Sequence, residues 1–434
     1  MLVFVGIVVI PPAWADPLVQ LMEKALELSP AVRSLEAKVA ASEEARKKSL
    51  GEWYPTLDLD TYAGKNVQRK ESGAETDYQV EELKLSVNQK LWDFGTTEAE
   101  LAVAAKEVEK TRVSLAKKRQ EVLLSAVKAL LDVVRSQRMV AFAKEAEDNI
   151  LKQTDLEKIR FEEGGGYSTD VLQAQSQYAG AESRRLRAEG RLDKDLNVYR
   201  RVFGGDPESL PADEVILGRL TPGIPSSLEE ARRVAQESNR DLGSAAVGVA
   251  IAELKRQQTF NDVVFPKIDV NLESKRSENL SGVAENKTEH LAKVTLAKSF
   301  NLGLTEVNDV QEARENLKAA QNDLDDVRQT VDVEVRNAWQ ELDTLRAIAA
   351  TTERQAVISR GFLDLARKER ELGNRSLLDV LSGETTLTNA LSDAMSARID
   401  VVIGMATLLD AMGTLDLESF RSPEKKDGQG DSPQ

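Results

Sequence analysis

The chain has no cysteine among its 434 residues. That excludes disulfides, a cysteine metal site, a thiol nucleophile and a lipid-anchored cysteine at a mature N-terminus. One histidine, His290, cannot build a histidine cluster. Aromatic residues make up only 5% and charged residues 30%, a balance that favours helix seams of Ala, Leu and Val over thick globular cores. The net charge of -15 argues against nucleic acid, which rewards basic patches. No stretch approaches the ~20 apolar residues of a membrane-spanning helix. Any entry into a membrane must therefore be by strands. Also missing are a nucleophile-elbow sequence, a P-loop and an H-E-x-x-H motif. Acids abound, but spacing alone pairs none of them for catalysis. No enzyme, no metal and no cofactor is expected.

Residues 1–15 read as a signal peptide. Leu2 to Ile10 form a short apolar run, and Ala13-Trp14-Ala15 matches a small-x-small cleavage site before Asp16. No Lys or Arg precedes the run, so either the peptide is truncated at its front or the export reading fails.

The chain is organised around Thr96 to Glu163, which holds no glycine or proline and stops at Gly164-Gly165-Gly166. As one helix it would run roughly 100 Å. Leu101, Val108, Leu115, Val122 and Ala129 recur every seven residues, with Ala126, Val133 and Val140 on a neighbouring row. That repeat makes a coiled seam, although Arg112 and Arg119 interrupt the second row. A return helix is expected from Ser168 to about Arg201.

The plan is used twice. A first helix, Pro17 to about Gly51, precedes a hairpin at about 55–93, where Leu57, Leu59 and Thr61, then Leu83, Leu85 and Val87, alternate with polar residues. A polar loop, Gly64 to Asp77, joins the two strands. The first repeat thus spans 16–203, and Gly204 to Ser227 reads as a linker rich in Pro and Gly. The second repeat, 228–418, has a helix to about Gln258, a hairpin at about 266–301 with its loop at Ser274 to Glu289, and a long helix turning near Gly373. Its return arm runs from Ser376 to about Met412. Residues 419–434 read as a disordered tail.

A lone two-stranded hairpin is marginal in water. Here one strand face is apolar and the other carries Asp58, Asp60, Asp269, Glu273 and similar residues, the pattern of a barrel with lipid outside and water inside. Four strands cannot close, because closure needs about eight, so several protomers would have to contribute. Trp53, Tyr54 and Trp92 sit where helix meets strand, as a membrane-interface belt would require. His290 reads as an exposed residue at a strand start.

This duplicated plan resembles the TolC-like outer-membrane efflux proteins over about Pro17 to Leu417. The paired turns carry most of it: Gly164-x5-Asp170-Val171-Leu172 and Gly373-x5-Asp379-Val380-Leu381, each ending a long helix. The resemblance implies a mainly α fold with a small β part, built as a homotrimer. Each protomer would give four strands to one 12-stranded outer-membrane barrel and its helical hairpins to an α-barrel tunnel across the periplasm. The tunnel would dock onto a periplasmic adaptor and an inner-membrane pump, without chemistry of its own.

Gly164 and Gly373 end helices cheaply in the left-handed conformation, and the resemblance adds contact with the adaptor at these tips, Gly165 included. Asp170 and Asp379 suit a helix start through the dipole. The resemblance adds a closed constriction with Arg375 in its ion pairs, where Ser382 replaces a second acid and weakens cation binding. Lys90 stands where many relatives carry proline. The competing reading is a soluble periplasmic coiled-coil scaffold or adaptor, whose hairpins would pack on helices. An adaptor would show one central hairpin and globular β modules, unlike this tandem.

Overall fold

The computed structural model describes residues 16–421 except 70, 72, 74, 208, 209 and 280–283. The signal-peptide reading and most of the tail fall outside the described residues. The fold is mainly helical with one small sheet. In chain order it runs α1 (Pro17–Leu28), α2 (Pro30–Gly51), β1 (Thr56–Arg69), β2 (Glu75–Trp92), α3 (Thr96–Glu162), α4 (Ser168–Phe203), α5 (Asp213–Leu220), α6 (Leu228–Ser238), α7 (Arg240–Val264), β3 (Lys267–Glu278), β4 (Asn286–Ala297), α8 (Thr305–Glu371) and α9 (Leu377–Met412). It divides into two compact units that cut across the repeats. One comprises Met1–Ser34, Ala116–Asp241 and Arg328–Gln434, the other Leu35–Leu115 and Leu242–Val327.

Each repeat opens with two helices where one was expected. Ser29 is extended because Pro30 disfavours the helical region for its predecessor. In the second repeat Asn239 takes the same role without a proline. Its side chain accepts from the Asp241 N–H at 2.8 Å and donates to the Ala411 carbonyl at 2.8 Å. Asn favours such local turns over helix continuation. The stretch read as a linker also carries structure: α5 packs on α9, with Ile216 and Leu220 fully buried. Its neighbouring Pro and Gly masked that four-residue apolar step. Of the stretch expected to be disordered from 419, the described part begins ordered: Glu418–Phe420 form a 3-10 turn with Phe420 buried.

In the unit containing the hairpin turns, the seven-residue row of α3 runs on past Ala129. Ser136, Ala143, Ile150 and Glu157 continue it, and all four are buried. A matching row on α8 buries Val335, Leu342, Ala356 and Leu363 and reaches Arg370 next. Ile150, Ala174, Ala181, Leu377 and Leu381 form one apolar cluster, and Leu363, Ala366 and Val380 another. Small residues on α9 let α8 approach: a Cβ on Gly404 would lie 2.9 Å from Leu345 Cδ1. Polar positions in the rows are bonded, as burial requires. The Ser136 hydroxyl donates to Asp195, which Arg191 also engages at 2.9 Å.

The other unit holds a four-stranded antiparallel sheet in the order β1-β2-β3-β4. The strands run through much of both stretches read as polar loops, with Arg69 paired to Glu75 and Glu278 to Asn286. Alternating apolar side chains stop earlier, but the backbone ladder needs none. Charged cross-strand pairs such as Lys65–Asp77 at 2.8 Å occupy these ends. His290 accordingly lies within β4, opposite Ser274, and not at its start. At the sheet's base Lys298 donates to the carbonyls of Asp262, Val263 and Phe265, capping α7 where its own turns leave them unpaired.

Candidate functional site

Two features stand out, one in each unit. The first is the pair of hairpin turns. Gly164 has φ +84° and Gly373 φ +79°. Gly164 N–H donates to the Phe161 carbonyl at 3.0 Å and Gly165 N–H to Arg160 at 2.9 Å. Gly373 N–H donates to Arg370 at 3.0 Å and Asn374 N–H to Glu369 at 2.9 Å. Both turns are therefore Schellman motifs. Nothing lies within 4 Å of a Cβ built on Gly164 or Gly373, so the demand for glycine there is conformational alone. Gly165 has negative φ and is not required for the reversal.

The turns differ in their charges. Asp170 and Asp379 are each the third residue of a return helix. Asp170 makes no side-chain hydrogen bond or ion pair among the described residues. Asp379 lies 3.4 Å from the Arg375 Nε, and Ser376 caps its helix by accepting from the Asp379 N–H at 3.2 Å. Arg375 also binds Glu369 at 2.7 Å and sits 5.0 Å over the Phe362 ring. The Glu369 hydrogen bond holds the Arg375 pKa above its ordinary value. Ser382 is exposed and bonds to neither acid.

The structure adds residues that the sequence reading did not select. Glu157, 5% exposed, pairs with Arg370, and Arg160 reaches it at 3.2 Å. Arg370 Nη1 also donates to the Arg375 carbonyl at 3.1 Å, joining the end of α3 to the second turn. Two turns into α9, Glu384, 2% exposed, pairs with Arg367 and lies within 3.5 Å of the Asn149 amide. Counting the α3 and α8 rows onward by sevens reaches Glu157 and Arg370, so the signal was present.

The second feature is the sheet. Register places Leu57, Val87 and Leu272 in one row, Leu59 and Leu85 in the next, and Trp92, Ile268 and Leu296 at the base. This face is exposed: Leu57 67%, Leu59 64%, Val294 69%, Leu296 67%. The opposite face carries Asp58, Asp60, Asp269 and Glu273 among polar partners. Asn88 donates to Asp58 at 2.8 Å, Asn271 to Asn88 at 2.6 Å, and Lys275 meets Glu82 at 2.8 Å. Tyr54 and Trp92 are exposed at the base, while Trp53 is only half-exposed. Trp92 packs edge-on to Phe94, which stacks on Phe265 at 5.0 Å. Lys90 bridges Glu52, Asp93 and the Thr97 hydroxyl at the foot of β2.

No described helix is long and apolar enough to cross a membrane, which says nothing of a sheet. Among the described residues no group of three His, Asp or Glu side chains is placed to hold a metal ion.

The family model described as "Outer membrane efflux protein" matches residues 21–205 and 231–414. The chain is 25% identical to the outer membrane efflux protein BepC of Brucella suis, over 81% of this chain and 76% of that one. It is 23% identical to the outer membrane protein TolC of Vibrio cholerae, over 93% and 92%. Among solved structures the channel CusC superposes with a TM-score of 0.78 at 16% identity, covering 92% of each chain.

Proposed function

The chain belongs to the outer membrane efflux protein family, and we propose that it works as a homotrimer whose three sheets close one 12-stranded transmembrane barrel. It is an outer-membrane efflux or secretion channel with a periplasmic tunnel. In the proposal a periplasmic adaptor and an inner-membrane pump supply cargo and energy, and the chain itself catalyses nothing.

The observation that carries the proposal is the sheet. A row of leucines and valines left open to solvent on one face is costly in water and suits lipid. β1 and β4 each leave one edge without a partner among the described residues. Joining β4 of one protomer to β1 of the next would satisfy both edges, and three copies exceed the ~8 strands that closure needs. Trp92, Tyr54 and Trp53 then mark one interface of the bilayer, and Asp58, Asp60, Asp269 and Glu273 face the water-filled lumen.

At the turns, we assign Asp170, Asp379, Arg375 and Ser382 to the constriction and Gly164, Gly165 and Gly373 to the adaptor contact. The pair Glu157–Arg370 ties the turn ends together, Arg375–Asp379 braces the second turn itself, and the two would hold the entrance shut. Ser382 supplies no carboxylate, so the ring would bind cations weakly. The soluble scaffold is not favoured, because it gives the exposed leucine face no partner.

The test is the protein mass of the particle purified in detergent, corrected for bound detergent, with membrane fractionation alongside. A trimer from the outer membrane is expected. A monomer or dimer that stays soluble without detergent would refute the shared barrel.

A further inference from the structure

The apolar face of the sheet is not level. On β1 and β2 it continues through Leu59 and Leu85 to Leu83. On β3 and β4 it stops at Leu272 and Ala292. Register aligns Leu59 and Leu85 with Ser274 and His290, and Leu83 with Arg276 and Thr288. Four polar side chains thus form a notch on the lipid-facing side, beside leucines of the neighbouring strand. Arg276 and His290 are exposed, and Arg276 makes no ion pair or hydrogen bond among the described residues. The acids nearest on this face, Glu278 and Glu81, share the next row towards the loop and leave Arg276 unpaired.

We infer that this notch is a binding site for the phosphate of an anionic lipid headgroup, with Arg276 as the charged donor and His290 and Thr288 beside it. The inference rests on the reading of the sheet as part of a transmembrane barrel. In a bilayer a guanidinium level with Leu83 cannot remain in hydrocarbon; it must reach an anion or water at the interface. Arginine matches a phosphate with two parallel donors, which ammonium groups do not. The polar face, with Lys84, Lys275 and Lys293, is turned away and cannot serve the same lipid.

The test uses the full-length protein in nanodiscs of equal parts phosphatidylcholine and phosphatidylglycerol, released into native mass spectrometry to count retained lipids. Wild type is expected to retain phosphatidylglycerol over phosphatidylcholine by about tenfold, the weight of one charge-assisted hydrogen bond. Arg276→Leu should bring the ratio near one while insertion and assembly persist, since it makes the face more apolar. Arg276→Lys should retain part of the preference, and Lys293→Leu, on the opposite face, all of it. An inserted wild type without preference, or an Arg276→Leu variant that keeps it, would overturn the inference and leave the barrel standing. A chain that enters no bilayer would overturn the barrel first and this site with it.

Discussion

Arg370→Ala should loosen the turn ends. Its partner Glu157 has a side chain only 6% exposed, and that of Arg370 is 21% exposed. Removing one member of a buried ion pair costs about 3–5 kcal/mol, because the other charge stays buried. Arg160 remains 3.2 Å from Glu157, but it is half exposed and offsets only part of that cost. We expect about 3 kcal/mol, or roughly a hundredfold in the local opening equilibrium. Hydrogen exchange at the Gly165 and Asn374 amides reads this directly, because their bonds to Arg160 and Glu369 close the turns. Glu157→Leu alone should also loosen the turns, by stranding Arg370. The double variant Glu157→Leu with Arg370→Met should exchange nearly as slowly as wild type, since an apolar pair replaces a buried ionic one at little cost. Lys47→Ala breaks the exposed Glu44–Lys47 pair and should change nothing. If the effects of Glu157→Leu and of Arg370→Met, each measured alone, add to within about 0.5 kcal/mol in the double variant, the residues are not coupled and the latch is refuted.

Asp379→Ala or Arg375→Ala should raise single-channel conductance of the closed channel in planar bilayers; unchanged conductance in both would remove them from the gate. Gly164→Ala and Gly373→Ala should each cost about 1 kcal/mol, from left-handed backbone alone. Gly413→Ala should cost clearly more by thermal melting, because its Cβ would sit 2.5 Å from the Ser238 carbonyl oxygen. Equal melting shifts would contradict the packing described. Burial raises the Asp410 pKa above its ordinary value. Its stability contribution is therefore complete below the usual carboxylate range of about pH 4 and is lost as pH rises through the folded value. Asp410→Asn should raise the melting temperature near neutral pH and leave it unchanged near pH 3; the reverse order would contradict the burial argument.

The helices were legible because their signals are local and repeated. Thr96 to Glu163 lacks any breaker, and glycine follows at once. The breaks at Ser29 and Asn239 were missed because amphipathic spacing continues across both, though Pro30 marked the first. The strands were read too short, since apolar alternation was taken for the strand itself while Lys65, Arg69, Asp77 and Glu75 pair across the ladder regardless. At the turns, glycine and the first-turn acids stood out in the sequence. Glu157, Arg370 and Glu384 did not, because a charge on an apolar row looks like an interruption until its partner on another helix is seen. Arg112 and Arg119 look the same in sequence, yet both are exposed.

The two open edges of the sheet also set the order in which the molecule can be made. Before partners arrive, β1 and β4 offer backbone donors and acceptors to any extended chain, next to a face that water rejects. Such a surface couples by concentration, correctly with its own copies or wrongly with others. If the sheet is shared as proposed, newly made chains should divide between assembly and aggregation according to how quickly copies meet at a bilayer. Slow synthesis close to membrane should give channels, and rapid synthesis away from it should give precipitate.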